Sequence, residues 1–109
     1  MLISNIELIP GHRIARHLGM VQGNTVRAKH VGKDILAGFK NIFGGDLKAY
    51  TELLTEAREE AVERMVTQAQ HLGANAVINV RFSTSSVTAG AAELFAYGTA
   101  VELEEESRA

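Results

Sequence analysis

The 109-residue chain contains no cysteine. It therefore forms no disulfide bond, no thiolate metal site and no cysteine nucleophile, and its composition leaves the redox compartment open. A basic excess is missing as well, because the formal net charge at pH 7 is −2. Since nucleic-acid binding usually requires clustered positive charge, we expect no nucleic-acid partner.

Long apolar runs are also absent from the sequence. None reaches the ~20 residues that a membrane-spanning helix needs, and residues 1–5 have neither the basic start nor the apolar core of a signal peptide. We therefore expect a cytoplasmic protein that does not bind membranes. Hydrophobic residues make up 46% of the chain, which predicts a single packed domain over residues 1–103, followed by a solvated acidic tail over residues 104–109.

A long helix is predicted between residues 47 and 72. Apolar or small residues recur there every three or four positions, as on one face of an amphipathic helix. These residues are Leu47, Tyr50, Leu54, Ala57, Ala61, Met65, Ala69 and Leu72. Asp46 is suited to cap the N-terminus of this helix, and Gly73 is suited to the left-handed conformation that ends it.

Strands are predicted on both sides of the long helix. From His12 to Ala28 the pattern indicates one long bent strand, or two short strands separated at Gly23-Asn24. After residue 75 the period of apolar residues changes to two, which predicts another strand. Its residues on one side are Ala76, Ile78, Val80 and Phe82, and those on the other side are Val77, Asn79 and Arg81.

The remaining segments complete a two-layer α+β arrangement. Residues Val31–Phe43 are predicted to form a short helix and Gly44-Gly45 a tight corner, although a glycine pair before a helix could also bind an anion. A polar loop is predicted over Ser83–Gly90 and a last strand over Ala91–Leu103. The last two strands would form an antiparallel hairpin, the first would pair with one of them, and the long helix would cover one face.

Both sides of the last predicted strand carry apolar residues. One side contains Phe95, Tyr97, Thr99, Val101 and Leu103, and the other contains Ala92, Leu94, Ala96, Gly98 and Ala100. Because one long helix covers one face of the sheet, the other face would lie against a second sheet surface or another subunit. We therefore expect a stable homo-oligomer.

No catalytic or metal-binding motif is found. The histidines are His12, His17, His30 and His71, and none lies in a recognised catalytic motif, so we do not predict an enzyme. His12 and His17 are five residues apart and would face opposite sides of a regular strand unless a bulge intervenes. We expect no tight transition-metal site in the isolated chain, and a site shared between subunits stays open as an alternative.

Arg58 departs from the amphipathic pattern. At about 100° per residue, it projects within roughly 40° of the centre of the apolar stripe. Its methylenes could pack while the guanidinium reaches water, or the guanidinium could be held by a fixed partner. The acceptors that the sequence suggests for the second alternative are Glu93, Glu102 and Asp34.

Several motifs together resemble the YbjQ-like family. They are residues 16–23 (RHLGMVQG), Gly44-Gly45 with Tyr50, Ala57-Arg58-Glu59 with Ala61 and Met65, Gly73–Val77 with Arg81-Phe82, and residues 96–101 (AYGTAV). The resemblance extends from about Ile14 to Val101. It implies a small bacterial cytosolic protein with a dodecin-subunit-like β-α-β-β fold, assembled into a ring-like homo-oligomer that we expect to be a pentamer.

The family's label names heavy-metal binding, and the family supplies no catalytic residues and no cofactor. The resemblance implies a set of shared-motif residues that we take as a candidate interface or ligand pocket. These residues are Tyr50, Arg58, Asn75, Arg81, Tyr97 and Thr99.

Two classes of function are therefore compatible with the sequence. The first is a non-enzymatic oligomeric binding module that holds a metal ion or a small ligand at subunit interfaces. The second is a structural or regulatory ring without a small ligand. An enzyme is the least supported class, and the sequence names no partner except the chain itself.

Overall fold

A computed structural model gives the structure of residues 1–28, 48–88 and 91–106. Over these ranges the strands are β1 (Leu2–Ile3), β2 (His12–Ala28), β3 (Ala76–Thr88) and β4 (Ala91–Glu105), and the helix is α1 (Lys48–His71). The strands form one sheet in the order β1-β3-β4-β2. β1 runs parallel to β3, whereas β4 is antiparallel to both β3 and β2.

The α+β class is confirmed. α1 packs across one face of the sheet, chiefly against β2 and β4, which gives the predicted two-layer β-α-β-β arrangement. β1 was not predicted, because two residues give no periodic signal. The predicted helix Val31–Phe43, the corner at Gly44-Gly45 and the cap at Asp46 lie outside the described residues.

The last residue of α1 is His71, and Gly73 terminates the helix as predicted. Gly73 has a φ of +84°. Its N–H donates to the Gln70 carbonyl at 3.0 Å, and the Ala74 N–H donates to the Ala69 carbonyl at 3.1 Å, which is the Schellman pattern of a helix C-terminus. The predicted apolar stripe is buried against the sheet at Ala57, Ala61, Met65 and Ala69. Because small residues dominate this stripe, the helix backbone lies close to the strands.

Gly23 lies where α1 approaches β2 most closely. A Cβ placed on Gly23 would come within 2.1 Å of the Ala61 carbonyl oxygen and 2.4 Å of the Met65 nitrogen. β2 is not interrupted there, since its register with β4 is continuous from Gly19 to Ala28. The predicted alternative of one long strand from His12 to Ala28 is therefore confirmed, and the alternative of two strands separated at Gly23-Asn24 is wrong. The glycine permits close contact between helix and strand.

A bulge in β3 changes the predicted alternation of its side chains. The register with β4 shifts between Ile78 and Arg81, and Asn79 has a φ of +54°. Val77 and Val80 therefore both lie in the core beneath α1. The prediction that these two valines face opposite sides is wrong, because a bulge moves every later side chain to the other face.

β3 also continues beyond its predicted end at Phe82. Residues 83–86 pair one-to-one with residues 92–95 of β4. The prediction of a loop over Ser83–Gly90 is therefore wrong for residues 83–88, because pairing with β4 overrides the small polar composition. Residues 89–90 lie outside the described part of the chain.

β4 ends at Glu105, two residues later than the predicted end at Leu103. Arg13 of β2 forms an ion pair with Glu104, and Arg16 forms one with Glu102 at 2.8 Å. Both pairs lie on the solvated surface. The acidic residues that begin the predicted tail are therefore part of the sheet.

Two apolar clusters lie on opposite faces of the sheet. The cluster beneath α1 consists of Val21, Ala61, Met65, Ala69, Val77, Val80, Ala96 and Ala100. The second cluster consists of Ala76, Ile78, Val101 and Leu103, with Ile9 packed against it. The N-terminal segment thus covers one end of the second face.

Two side chains of α1 reach the outer edge of β2. The Gln68 Oε1 atom accepts a hydrogen bond from the Gln22 N–H at 2.7 Å. Arg64 donates to the carbonyl oxygen of Asn24. Because β2 is the last strand on its side of the sheet, these bonds occupy edge groups that would otherwise face solvent.

Candidate functional site on the open face of the sheet

The face of the sheet opposite α1 carries the candidate site. Along β4, Ala96 and Ala100 point towards α1. The odd-numbered residues of β4 therefore point away from α1. The strand register places residues of β2 and β3 beside them. We call this surface the open face. Outside the end that Ile9 covers, its side chains are Met20, Gln22, Asn24, Val26, Arg81, Ser83, Ser85, Glu93, Phe95, Tyr97 and Thr99.

The open face carries exposed apolar side chains on its edge strand β2 and half-buried aromatic rings on β4. Met20 is 79% exposed and Val26 is 53% exposed. The rings of Phe95 and Tyr97 lie side by side with their centroids 5.5 Å apart and tilted by 36°. Exposed apolar side chains and adjoining aromatic rings on one face are features of many binding surfaces.

A hollow of about 280 Å³ opens on this face. It is lined by Met20, Asn79, Arg81, Tyr97, Gly98 and Thr99. The bulge in β3 creates it, because the register shift places Arg81 opposite Tyr97. Without the bulge, regular alternation would place Arg81 on the same face as Val77, beneath α1.

Arg81 supplies the positive charge of the hollow. Its Nη1 atom donates to the Asn5 carbonyl at 2.6 Å and to the Val80 carbonyl at 3.0 Å. Within the described ranges, Nη2 and Nε have no hydrogen-bond partner in the protein. No carboxylate is among the lining residues, so the charge of the guanidinium is not neutralised at the hollow by the residues that line it.

Three of the six sequence-predicted residues meet at this hollow. Arg81, Tyr97 and Thr99 line it together. Asn75 lies elsewhere, at the start of β3, where its carboxamide bonds to the backbone of Leu103. Tyr50 lies in α1, and its side chain is outside the described part of the structure.

Arg58 also lies apart from the hollow, on the flank of α1 that is next to Phe82 of β3. It is exposed, its Nη2 atom donates to the Thr55 hydroxyl at 3.3 Å, and it borders a shallow depression beside Phe82. The carboxylates suggested as its partners bind elsewhere: Glu93 accepts from Asn24 and Glu102 pairs with Arg16. The third suggestion, Asp34, lies outside the described residues. Within the described residues of one chain, Arg58 thus bonds to a hydroxyl rather than to the suggested carboxylates, and a partner across a subunit interface stays a prediction.

Sequence reasoning missed Met20 and Asn79 as lining residues. Met20 looks like an ordinary core residue, because the sequence does not tell which face of a strand is covered. Asn79 carried one weak signal, since asparagine is enriched among non-glycine residues with positive φ.

The histidine geometry follows the bulged alternative that the sequence left open. One register shift of β2 lies between Ile14 and Arg16, so His12 pairs with Glu105 and His17 pairs with Val101. Since these partners are an even number of residues apart, both histidines face the same side rather than the opposite sides of a regular strand. Four residue positions of the β4 register still separate the two histidines, or about 13 Å along the sheet, which is too far for them to bind one ion.

Within residues 1–28, 48–88 and 91–106, no three His, Cys, Asp or Glu side chains are grouped closely enough to hold a metal ion. Over the same ranges, no helix has the length and apolar character needed to cross a membrane.

Comparison with known proteins places the chain in a family. A family model described as "Putative heavy-metal-binding" matches residues 1–104. The chain belongs to the YbjQ family. A UPF0145 protein of Hahella chejuensis is 71% identical to this YbjQ family member over 104 residues, spanning 95% of this chain and 100% of that protein. A UPF0145 protein of Archaeoglobus fulgidus is 61% identical over 103 residues, spanning 94% and 95%.

A solved structure shares the YbjQ family fold. It is a protein with unknown function from Pediococcus pentosaceus, assigned to the DUF74 family, and it superposes with a TM-score of 0.65 at 16% identity. The match covers 95% of this chain and 98% of that chain. At this identity, the likeness shows the fold alone. The names of these relatives state no enzymatic activity.

The heavy-metal description of the YbjQ family does not fit the described residues of one chain. Soft metals prefer thiolate ligands, and the sequence contains no cysteine. The hollow itself offers a guanidinium, hydroxyls, an amide and a thioether, of which the cationic guanidinium repels a metal ion. The donor set of the hollow suits an anion better than a cation.

Proposed function

We propose that this YbjQ family protein is a non-enzymatic, cytoplasmic binding module that works as a homo-oligomer. Its ligand is held in the hollow of the open face, and another copy of the chain covers that face. The observation that supports this proposal is the exposed Met20 at the hollow, next to the half-buried Tyr97 and Phe95 rings, with Val26 exposed farther along β2.

The apolar surface gives the physical reason for assembly. Burial of apolar area contributes roughly 25 cal/mol per Å², so Met20 and its neighbours favour association with a complementary surface. Symmetric self-association is the commonest way for a small protein to cover such a face. The resemblance to the YbjQ-like family, which implies a ring-like assembly, leads us to propose five copies.

The chemistry of the hollow supports binding rather than catalysis. Arg81, Tyr97 and Thr99 can position a ligand through charge and hydrogen bonds. A nucleophilic mechanism would need a base within hydrogen-bond reach of a hydroxyl, and the lining residues include no histidine and no carboxylate. The residues therefore offer recognition without an acid–base pair.

A structural or regulatory ring without a ligand is the second candidate. The same apolar face favours it, because self-association would cover Met20 whether or not the hollow is occupied. Native mass spectrometry of the purified protein separates the two. A retained non-protein mass supports the binding module, and a ring without added mass supports the structural assembly.

Sedimentation equilibrium tests the assembly itself. We expect the parent protein to sediment as one homo-oligomer at micromolar concentration. Met20→Lys, on the open face, should shift the protein towards smaller species, because a charge would be buried at the contact. Leu72→Lys is the matched control, since Leu72 is also an exposed apolar residue but lies at the end of α1. A parent protein that is monomeric at this concentration would contradict the proposal.

A further inference from the structure

We infer that the hollow of the open face binds a small aromatic oxyanion, that is, a carboxylate or phosphate group attached to a flat ring. This inference rests on the proposed function, and it names the chemistry of the ligand. Three independent features of the hollow support it: an unneutralised guanidinium, a pair of hydroxyls and an apolar wall on each side.

The guanidinium is positioned for an oxyanion. Two backbone carbonyls, those of Asn5 and Val80, hold Nη1 of Arg81, so the side chain is tethered. Nη2 and Nε, the donors that have no protein partner within the described ranges, form the planar fork that matches two oxygens of a carboxylate or phosphate. Because no carboxylate lines the hollow, no protein anion in its lining competes for these donors.

Two residues with hydroxyl groups line the hollow together with Arg81. Tyr97 and Thr99 are alternate residues of β4 on the same face, about 6.6 Å apart along the strand. Arg81 is the register partner of Tyr97. An oxyanion bound to the fork can therefore accept further hydrogen bonds from the phenol and the threonine hydroxyl, and an amine or metal cation would meet the guanidinium instead.

The walls of the hollow are apolar. Met20 lies on β2 and is the register partner of Thr99 on β4. Its thioether side chain is 79% exposed at the rim of the hollow. On the other side, the ring of Tyr97 is supported by Phe95 at 5.5 Å. Methionine sulfur and aromatic faces both pack favourably against a ring, so the ligand should carry a flat apolar body next to its charge.

The backbone also points to function at this position. Asn79 has a φ of +54°, a backbone conformation that residues other than glycine rarely adopt. Strained residues of this kind concentrate at binding sites, where the surrounding structure maintains them. Here the strain belongs to the bulge that brings Arg81 to the open face. If a second copy covers this face as proposed, exclusion of water strengthens the pairing between the guanidinium and an oxyanion.

Isothermal titration of the full chain with defined probes tests the inference. The probes are benzoate and phenyl phosphate, with benzamide as the uncharged analogue and inorganic phosphate as the anion without a ring. We expect at least one of the two aromatic anions to bind, and to bind at least about tenfold more tightly than benzamide and inorganic phosphate. Comparison of benzoate with phenyl phosphate shows whether the hollow prefers a carboxylate or a phosphate group on the ligand.

Variants locate the binding site. Arg81→Gln should lower the affinity for the aromatic anion that binds at least about tenfold, and Tyr97→Phe should lower it less. Arg13→Gln is the matched control, since Arg13 is an exposed arginine that pairs with Glu104 away from the hollow, and it should bind like the parent. If Arg81→Gln fails to fold, amide resonances of Gly98 and Thr99 in the parent protein give a second readout, because they should shift on addition of the probe.

The outcomes are distinguishable from those of the assembly experiment. Loss of binding in Arg81→Gln with an unchanged sedimentation profile supports the inference. No binding of either aromatic anion at about 10 mM, equal binding of benzamide, or binding that Arg81→Gln does not weaken would overturn it, even if the oligomer is confirmed. A monomeric parent that still binds the probe at Arg81 would contradict the assembly and leave the anion site standing.

Discussion

The carboxamide of Asn75 pairs with the backbone of Leu103 as if it were another residue of the sheet. Its Nδ2 atom donates to the Leu103 carbonyl at 3.0 Å, and its Oδ1 atom accepts from the Leu103 N–H at 2.7 Å. β3 begins one residue later, at Ala76. The side chain thus extends the β3–β4 ladder past the point where the β3 backbone starts, which is a structural role for a residue that sequence motifs grouped with the candidate pocket.

Replacement of Asn75 should therefore reduce stability. We expect Asn75→Ala to lower the free energy of unfolding by about 1–2 kcal/mol, because two backbone groups of Leu103 lose their partners. Urea denaturation at fixed protein concentration measures this change. Asn24→Ala is the control, since its amide makes a single 3.3 Å bond to Glu93, and it should change stability by less than about 0.5 kcal/mol. Equal effects of the two variants would refute the assigned role.

Gly23→Ala should be strongly destabilising. The added methyl group would overlap backbone atoms of Ala61 and Met65, which cannot move without shifting α1. We expect a loss of about 3 kcal/mol, at the upper end for overpacking. Gly73→Ala separates this clash from backbone strain, because a Cβ there meets nothing within 4 Å but φ is +84°. It should cost about 1 kcal/mol, and a larger loss at Gly73 than at Gly23 would contradict the close contact.

The bulge at Asn79 makes a prediction about backbone conformation. Asn79→Gly should leave stability within about 0.5 kcal/mol of the parent, because glycine tolerates positive φ but gains entropy in the unfolded chain. Asn79→Val should cost about 2 kcal/mol, because a β-branched residue is an outlier at this φ. Thermal unfolding of the two variants is the measurement. A valine variant as stable as the glycine variant would mean that the left-handed conformation is absent.

The ion pair of Arg16 with Glu102 should contribute little to the free energy of unfolding. Its side chains are 61% and 36% exposed, and exposed pairs typically contribute below about 1 kcal/mol. A double-mutant cycle with Arg16→Ala and Glu102→Ala should give a coupling energy in that range, decreasing as salt is raised. A coupling that is larger, or insensitive to salt, would indicate that the pair is shielded from solvent in the assembled protein.

The sequence predicted those parts of the fold that local spacing controls. The buried alanines of α1 and the end of the helix at Gly73 follow from helical periodicity and from the conformational freedom of glycine. The extension of β3 over residues 83–88 could not be predicted, because serine and threonine form a strand there through pairing with β4 rather than by local preference.

The candidate site was predictable in part. Motif resemblance selected Arg81, Tyr97 and Thr99, which do line one hollow. Alternation in the sequence gave no reason for them to meet, because the bulge that turns Arg81 to the open face depends on how β3 pairs with β4. Met20 could not be assigned for a similar reason, since its face is decided by the position of α1 rather than by its own neighbours in sequence.

The bonds from Gln68 and Arg64 to the edge of β2 affect how copies of this chain can join. A neighbouring strand that extends the sheet at Gln22 and Asn24 must first displace both side chains. At the other side, residues 82–85 of β3 have no such contacts among the side chains that the structure describes, so over these residues the two edges are not equivalent. A cyclic assembly built by edge-to-edge pairing needs both edges in every contact. Assembly through the open face does not require the loss of these bonds, because the bonds from Gln68 and Arg64 to the edge of β2 stay in place in each copy.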